Sequence, residues 1–185
     1  MLAVLRNGGG YAEEIVLDAA AVVPIPEAMD FVTAAAFPVA YGTSHFALTH
    51  RSHLQLGETL LVLGAAGGVG LTAVEIGRAM GARVIAAAGG PQKLAVARAR
   101  GADELIDDRK ESIRDRVRAL TGGKGADVVY DPVGGDAFEQ AGIKVSLYGS
   151  RLQLAFELVK KTPVVSDAFS AASTRGAREA CSVGQ

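Results

Sequence analysis

The sequence predicts an α/β protein built on a doubly wound parallel sheet. Three observations predict it. Short runs such as Thr59–Leu63, Arg83–Ala88 and Asp127–Tyr130 are almost continuously apolar, as strands buried on both faces must be. Amphipathic stretches long enough for helices lie between them. A glycine-rich turn, Gly64 to Gly70, joins the first of these runs to the first of these helices.

Taken in order, the elements read as follows. A glycine turn precedes Tyr11–Leu17, which reads as a strand of alternating character. Val22 and Val23 form a second extended piece, halted by Pro24 and Pro26. Asp30 caps a short helix through Ala36 that Pro38 ends. "VAYGTSHFALTH" reads as a second helix, weakened at its start by Gly42 and Thr43. From Glu58 the pattern becomes regular. Strand Thr59–Leu63 passes through the glycines into helix Val69–Met80, with an apolar stripe of Val69, Ala73, Ile76 and Met80 and a stop at Gly81. Strand Arg83–Ala88 leads to helix Gln92–Arg100, which buries Leu94, Val96 and Ala97 and ends at Gly101. A short strand at Leu105–Ile106 precedes the charged helix Ser112–Leu120, with Ile113, Val117 and Leu120 facing inward. Asp127–Tyr130 is the next strand, stopped by Pro132. After Phe138 the regularity fades. "SRLQLAF" reads as one more strand, and "SDAFSAASTRGAREACSVGQ" as a loosely attached or disordered tail.

Composition narrows the function. At 49% hydrophobic and 21% charged, the chain of 185 residues can bury a core and is not a disordered protein. A net charge of −1, with basic residues scattered, gives no field for nucleic acid or an anionic membrane. Cys181 is the only cysteine, so neither an internal disulfide nor a thiolate metal cluster can form. His45, His50 and His53 have no carboxylate among them and lack metalloprotease spacing, so they read as a partly exposed helix end, with no metal expected. No apolar run is long enough to span a membrane, and "MLAVLRNGGG" is too short and glycine-broken for a signal peptide. A cytoplasmic location is the default expectation.

The glycine turn carries the chemistry. Gly64 lets the chain leave the strand through angles a side chain resists. Gly67, helped by Gly68, keeps side chains from between backbone and ligand, and Gly70 lets the helix pack close. Free N–H groups at the helix start, Val69 among them, and the helix dipole favour an anion such as a pyrophosphate. Ala66 completes the cradle. The motif is not the strict GxGxxG, because Ala65 stands at its first glycine. A turn that serves packing alone and a methyltransferase-type nucleotide site are the alternatives. NAD sites place Asp or Glu at the end of the second strand. Here that end reads "AAAGGPQK", with no acid and with Lys93 on the next helix, which favours NADP over NAD. A solvated helix residue is the plainer reading of Lys93.

"GETLLVLGAAGGVGLTAVEIGRAMGARVIAAA" with "KGADVVYDPVGGDAFEQA" resembles the quinone oxidoreductase branch of the medium-chain dehydrogenase/reductase superfamily. "AAAFPVAYGTSHFAL" is similar to that branch's segment joining its two domains, and the resemblance runs from about Gly8 to Ala141. It implies a Rossmann domain, a GroES-like β domain, NADPH in the cleft between them, and zinc-free hydride transfer to a quinone or activated enone. It also implies that Thr43 lies beside the nicotinamide and that Val133, in "DPVGG", lines the cleft. Thr43 as an ordinary helix-start hydroxyl is the alternative. Asp108 stands where the family often has tyrosine near the 2′-phosphate, and an acid there opposes that phosphate.

Against the family pattern, residues 1–29 match only the end of the GroES-like domain, 30–157 the Rossmann domain, and 158–185 a shortened, divergent closing segment. Most of the acceptor pocket is then expected to be missing. Tyr41 is a distant candidate for a general acid and is more naturally a packed residue. The rival function is a non-catalytic dinucleotide-binding module that associates with other chains. The lone strand Tyr11–Leu17 leaves an apolar edge, so self-association is expected.

Overall fold

The computed structural model describes residues 1–5, 9–134 and 150–153. Helix α1 spans Phe31–Phe46 and runs into a wider π-type turn, Ala47–Arg51. The alternation then begins: β1 (Thr59–Val62), α2 (Gly68–Ala79), β2 (Arg83–Ala88), α3 (Pro91–Ala99), β3 (Glu104–Asp107), α4 (Ile113–Leu120), β4 (Val128–Asp131) and β5 (Ser150–Gln153). The five strands form one sheet in the order β3-β2-β1-β4-β5, and each neighbouring pair is parallel. This is the doubly wound α/β arrangement the sequence predicts, and its fold is Rossmann-type.

Strand alternation divides the core between two faces. Leu61, Leu63, Ile85, Ala87, Ile106 and Val129 pack with Ile113 and Val117 of α4. Leu60 and Val84 point the other way, toward α2, where a Cβ added at Gly77 would fall 2.4 Å from a Leu60 methyl. The deep face of α2 is therefore made by small residues: Gly70, Ala73 and Gly77, with Val74. Val69, Ile76 and Met80 of the expected stripe are only half-buried, because larger side chains at the contact would push helix from sheet. On α3, Ala97 is buried, Leu94 is half-buried and Val96 is exposed, so that helix presents a narrower apolar face than its sequence suggests.

Two expectations near the start of the chain are overturned. Tyr11–Leu17 is not a strand. Its backbone pairs with no other strand among the described residues, and Tyr11 and Val16 are fully exposed at 109% and 99%. A single strand satisfies none of its own N–H and C=O groups, so without a partner they go to water. The open strand edge from which self-association is expected does not form. What forms instead is one antiparallel bridge, Leu2 to Val23, which includes the second of the two extended valines, and a 3₁₀ turn at Ala19–Ala21 capped by Asp18.

Asp30 does cap α1, accepting from the Thr33 N–H at 2.9 Å, but Pro38 does not end it. One continuous helix replaces the two expected, and Gly42 and Thr43 lie inside it. Pro38 forfeits one backbone bond. The helix stays intact because side-chain bonds pin it to α2 on the far side of the proline: Ser44 Oγ donates to Val69 O and Thr72 Oγ1 to Ala40 O. Of "SRLQLAF", Ser150–Gln153 forms β5. The rest of that stretch, the region after Gly134 and the tail lie outside the described residues.

Candidate functional site

Sheet order decides where a ligand can sit. From β1 the chain moves outward through β2 and β3, then returns to the other side of β1 as β4. Loops leaving β1 and β4 diverge, and the crevice opens between their carboxyl ends. A cavity of about 420 Å³ lies there. The turn after β1 lines it with Gly64, Ala66, Gly67, Gly68, Val69 and Gly70; the end of β2 adds Ala88 and Gly89; α3 adds Lys93; Asp108 follows β3, and Pro132 and Val133 follow β4.

The glycine turn is fixed from both sides. Leu63 N–H donates to Tyr130 O at 2.9 Å, and Ala65 N–H to Ala87 O at 3.0 Å. Gly64 has φ +57°, in the left-handed region, and a Cβ there would also strike Val133 at 2.7 Å. Gly67 caps α2 without a side-chain bond, and its own N–H donates to Gly64 O at 2.9 Å. The N–H groups of Gly68, Val69 and Gly70 donate to no protein group among the described residues. Three free donors at the positive end of a 12-residue helix, with no acid in its first turn, suit an anion.

The opposite wall is held by a carboxylate. Asp131, buried at the end of β4, accepts from the N–H groups of Val133 at 2.8 Å and Gly134 at 2.9 Å through one oxygen. This closes the turn that presents Pro132 and Val133.

Eight of the nine residues singled out by sequence line this cavity: Gly64, Ala66, Gly67, Gly68, Val69, Gly70, Lys93 and Val133. Asp108 lines it as well, facing the same space as Lys93. Thr43 does not. It sits within α1, half-buried, and the contact with the cleft's helix is made instead by its neighbour Ser44. Ser44 is fully buried and lies 2.8 Å from Val69 O, Thr72 Oγ1 and Tyr130 OH. The three hydroxyls share their protons: Ser44 reaches Val69 O, Thr72 reaches Ala40 O and Val69 O, and in the Ser44–Thr72 and Ser44–Tyr130 contacts either oxygen can donate. The cluster fastens the first turn of α2 to α1 and β4. Burial pushes the Tyr130 hydroxyl up to about 12, while its bond to Ser44 pulls the other way. Sequence reasoning missed this cluster, although a tyrosine on a strand covered on both faces calls for a hydroxyl partner.

Tyr41 is not available as an acid at the cleft. It stacks on Phe37 at 4.7 Å and donates its hydroxyl to Glu75, which also pairs with Arg100. That bond to Glu75 raises its pKa above the ordinary tyrosine value. His45, His50 and His53 are all exposed. No group of three or more metal-ligating side chains lies together among the described residues. No helix among them is long and apolar enough to cross a membrane.

A parallel sheet whose central crevice is floored by a glycine turn defines the Rossmann-type class of domain, and comparison with known proteins narrows it. Residues 68–151 match the family model described as zinc-binding dehydrogenase. A quinone oxidoreductase-like protein 2 homolog of Nematostella vectensis is 43% identical over 141 residues, covering 76% of this chain and 38% of that protein. Escherichia coli quinone oxidoreductase complexed with NADPH superposes with a TM-score of 0.72 at 31% identity, covering 83% of this chain and 47% of that one. A mycobacterial protein complexed with NADPH superposes equally well, at 0.72 and 29% identity, over 83% of this chain and 48% of its own. The chain belongs to the quinone oxidoreductase-like branch of the medium-chain dehydrogenase/reductase superfamily. It spans about two fifths of the length of the curated relatives it matches.

Proposed function

We propose that this chain holds NADPH in the Gly64–Gly70 cleft and forms the cofactor-binding part of a reductase acting on a quinone or an activated enone. The observation that carries the reading is the position of the three free N–H groups of α2, at the point where the strand order reverses. In this reading residues 30–157 make up the dinucleotide-binding domain, and residues 1–29 belong with a second, GroES-like domain. Two structural relatives complexed with NADPH support the choice of cofactor.

Bound NADPH supplies a hydride from nicotinamide C4. The residues of the chain hold and orient it. Gly68, Val69 and Gly70 offer N–H donors to the pyrophosphate, and Gly67 leaves the approach clear. Lys93 pairs with the 2′-phosphate at the end of β2. Val133 and Pro132 wall the cleft on the β4 side, and Thr43, on α1 and outside that cavity, is set beside the nicotinamide by the family resemblance alone. Orientation is the larger part of what a protein adds to direct hydride transfer.

Gly67→Val tests the site. A branched side chain at the cap of α2 projects where the phosphate approaches, and its Cβ already lies 3.3 Å from Gly64 O. NADPH affinity is expected to fall at least tenfold, about 1.4 kcal/mol, by cofactor fluorescence. Unchanged affinity in a folded variant rules the site out. NADPH consumption with a simple quinone, measured beside binding, separates a working reductase from a module that binds without turnover.

Lys93→Ala addresses cofactor choice. The loss should fall on NADPH rather than NADH, roughly tenfold at low ionic strength and less as salt is added. Asp108→Tyr should act in the opposite direction and improve NADPH selectively. Equal changes for the two cofactors would mean that neither residue faces the 2′-phosphate.

A further inference from the structure

Past Gly89 the cleft continues into a second hollow of about 410 Å³, lined by Gly89, Gly90, Pro91, Gln92, Lys93 and Arg109. Gly89 and Lys93 line both. This is the end of β2, where an NAD site places an acid on the ribose hydroxyls. Gly89 offers no side chain there, and Arg109 fills the space. A Cβ on Gly89 would lie 2.5 Å from Arg109 Nε and 3.2 Å from its Cδ and Cζ. A Cβ on Gly90 would lie 3.7 Å from a terminal guanidinium nitrogen. The arginine stem is laid across the glycine pair. A positive charge therefore occupies the volume where the NAD pattern puts a negative one.

Asp107 holds this arrangement. Buried at the end of β3, its Oδ1 accepts from Gly90 N–H at 3.0 Å and from Arg109 N–H at 3.3 Å. One carboxylate oxygen thus ties the turn after β2 to the turn after β3. Its other oxygen faces Lys110 Nζ at 3.8 Å. Among the described residues Arg109 enters no ion pair. Its planar fork of donors is left for an outside partner, and that fork matches phosphate oxygens two at a time. Charge makes the same point. Lys93 and Asp108 line one wall region with opposite signs and cancel, so only Arg109 leaves a net positive charge there.

We propose that Arg109 and Lys93 form a two-cation seat for the 2′-phosphate, with Arg109 offsetting Asp108 and deciding NADPH over NADH. The proposal rests on the reading of the cleft as a dinucleotide site. Its test is a parallel titration of the full 185-residue chain with NADPH and with NADH, followed by cofactor fluorescence at low and moderate salt. R109Q should lose NADPH affinity by about tenfold or more, keep its NADH affinity, and show a shallower salt dependence for NADPH. R109K keeps the charge without the fork and should retain part of the preference, and it carries the test should R109Q not fold by circular dichroism. Equal losses for the two cofactors, or no loss, overturn the role of Arg109 while leaving the dinucleotide reading intact. A wild-type chain that binds neither cofactor overturns both.

Discussion

Gly70→Ala is expected to destabilise the chain by about 3 kcal/mol, at the upper end for overpacking a close contact, and to abolish most dinucleotide binding with it. The added methyl carbon would stand 2.3 Å from Gly64 O, 2.9 Å from Gly64 C and 3.1 Å from Ala65 Cα. All three are backbone atoms, so no side chain can swing aside. The turn itself cannot retreat, because Leu63 N–H is bonded to β4 and Ala65 N–H to β2. The helix must move away from the sheet, and with it the N–H groups that face the cleft. Gly68→Ala is the matched control. Nothing lies within 4 Å of a Cβ at that position, so the fold should be unharmed. Urea denaturation midpoints for the two variants give the comparison. A Gly70→Ala chain as stable as wild type would mean that the turn yields where its hydrogen bonds say it cannot.

The buried hydroxyl cluster gives the second large effect. Ser44→Ala takes away the hydrogen-bond partner of Tyr130 and one partner of Thr72 in a buried place. An orphaned buried hydroxyl costs about 2 kcal/mol. Tyr130→Phe removes the buried hydroxyl itself and should cost less, about 1 kcal/mol. The double variant should be less damaged than the sum of the two, because the second change removes the group the first left stranded. Additive losses would show that the two hydroxyls do not act as a unit. The pH dependence follows from the same burial. The folded chain holds the Tyr130 hydroxyl neutral up to about 12, above the ordinary value for tyrosine of 10.0. Its contribution to stability is complete below pH 10 and is lost as pH rises from there through 12. Tyr130→Phe should lose that part of the alkaline destabilisation, as read from thermal melts between pH 9 and 11.

The parts of the fold that are local in sequence were legible. β2 falls on Arg83–Ala88 as read, and Ser112 caps α4, accepting from Asp115 N–H at 3.3 Å. Apolar runs and caps depend on near neighbours, which a sequence displays. The glycine turn was legible because its composition has no easy explanation other than close approach. Pairing was not legible. Tyr11–Leu17 has the alternation of a strand but no partner, and alternation alone does not supply one. Pro38 was misread because what holds α1 together beyond it comes from Thr72 and Val69, about thirty residues away in the chain. Arg109 was missed for the same reason. Its neighbour Asp108 stands out through the family resemblance, whereas the part proposed for Arg109 follows from Gly89, in the turn after β2, having no side chain.

The place of β1 also sets an order of assembly. It is made first, yet it occupies the middle of the sheet, and its second neighbour is made much later: Thr59 N–H bonds the Asp127 carboxylate across 68 residues. β1, α2 and β2 are contiguous and can close as a short local unit, but β4 must be brought back over a long loop before it adds a single contact. The β2 side of the glycine turn is therefore expected to form before its β4 side, which waits for Leu63 N–H to reach Tyr130 O.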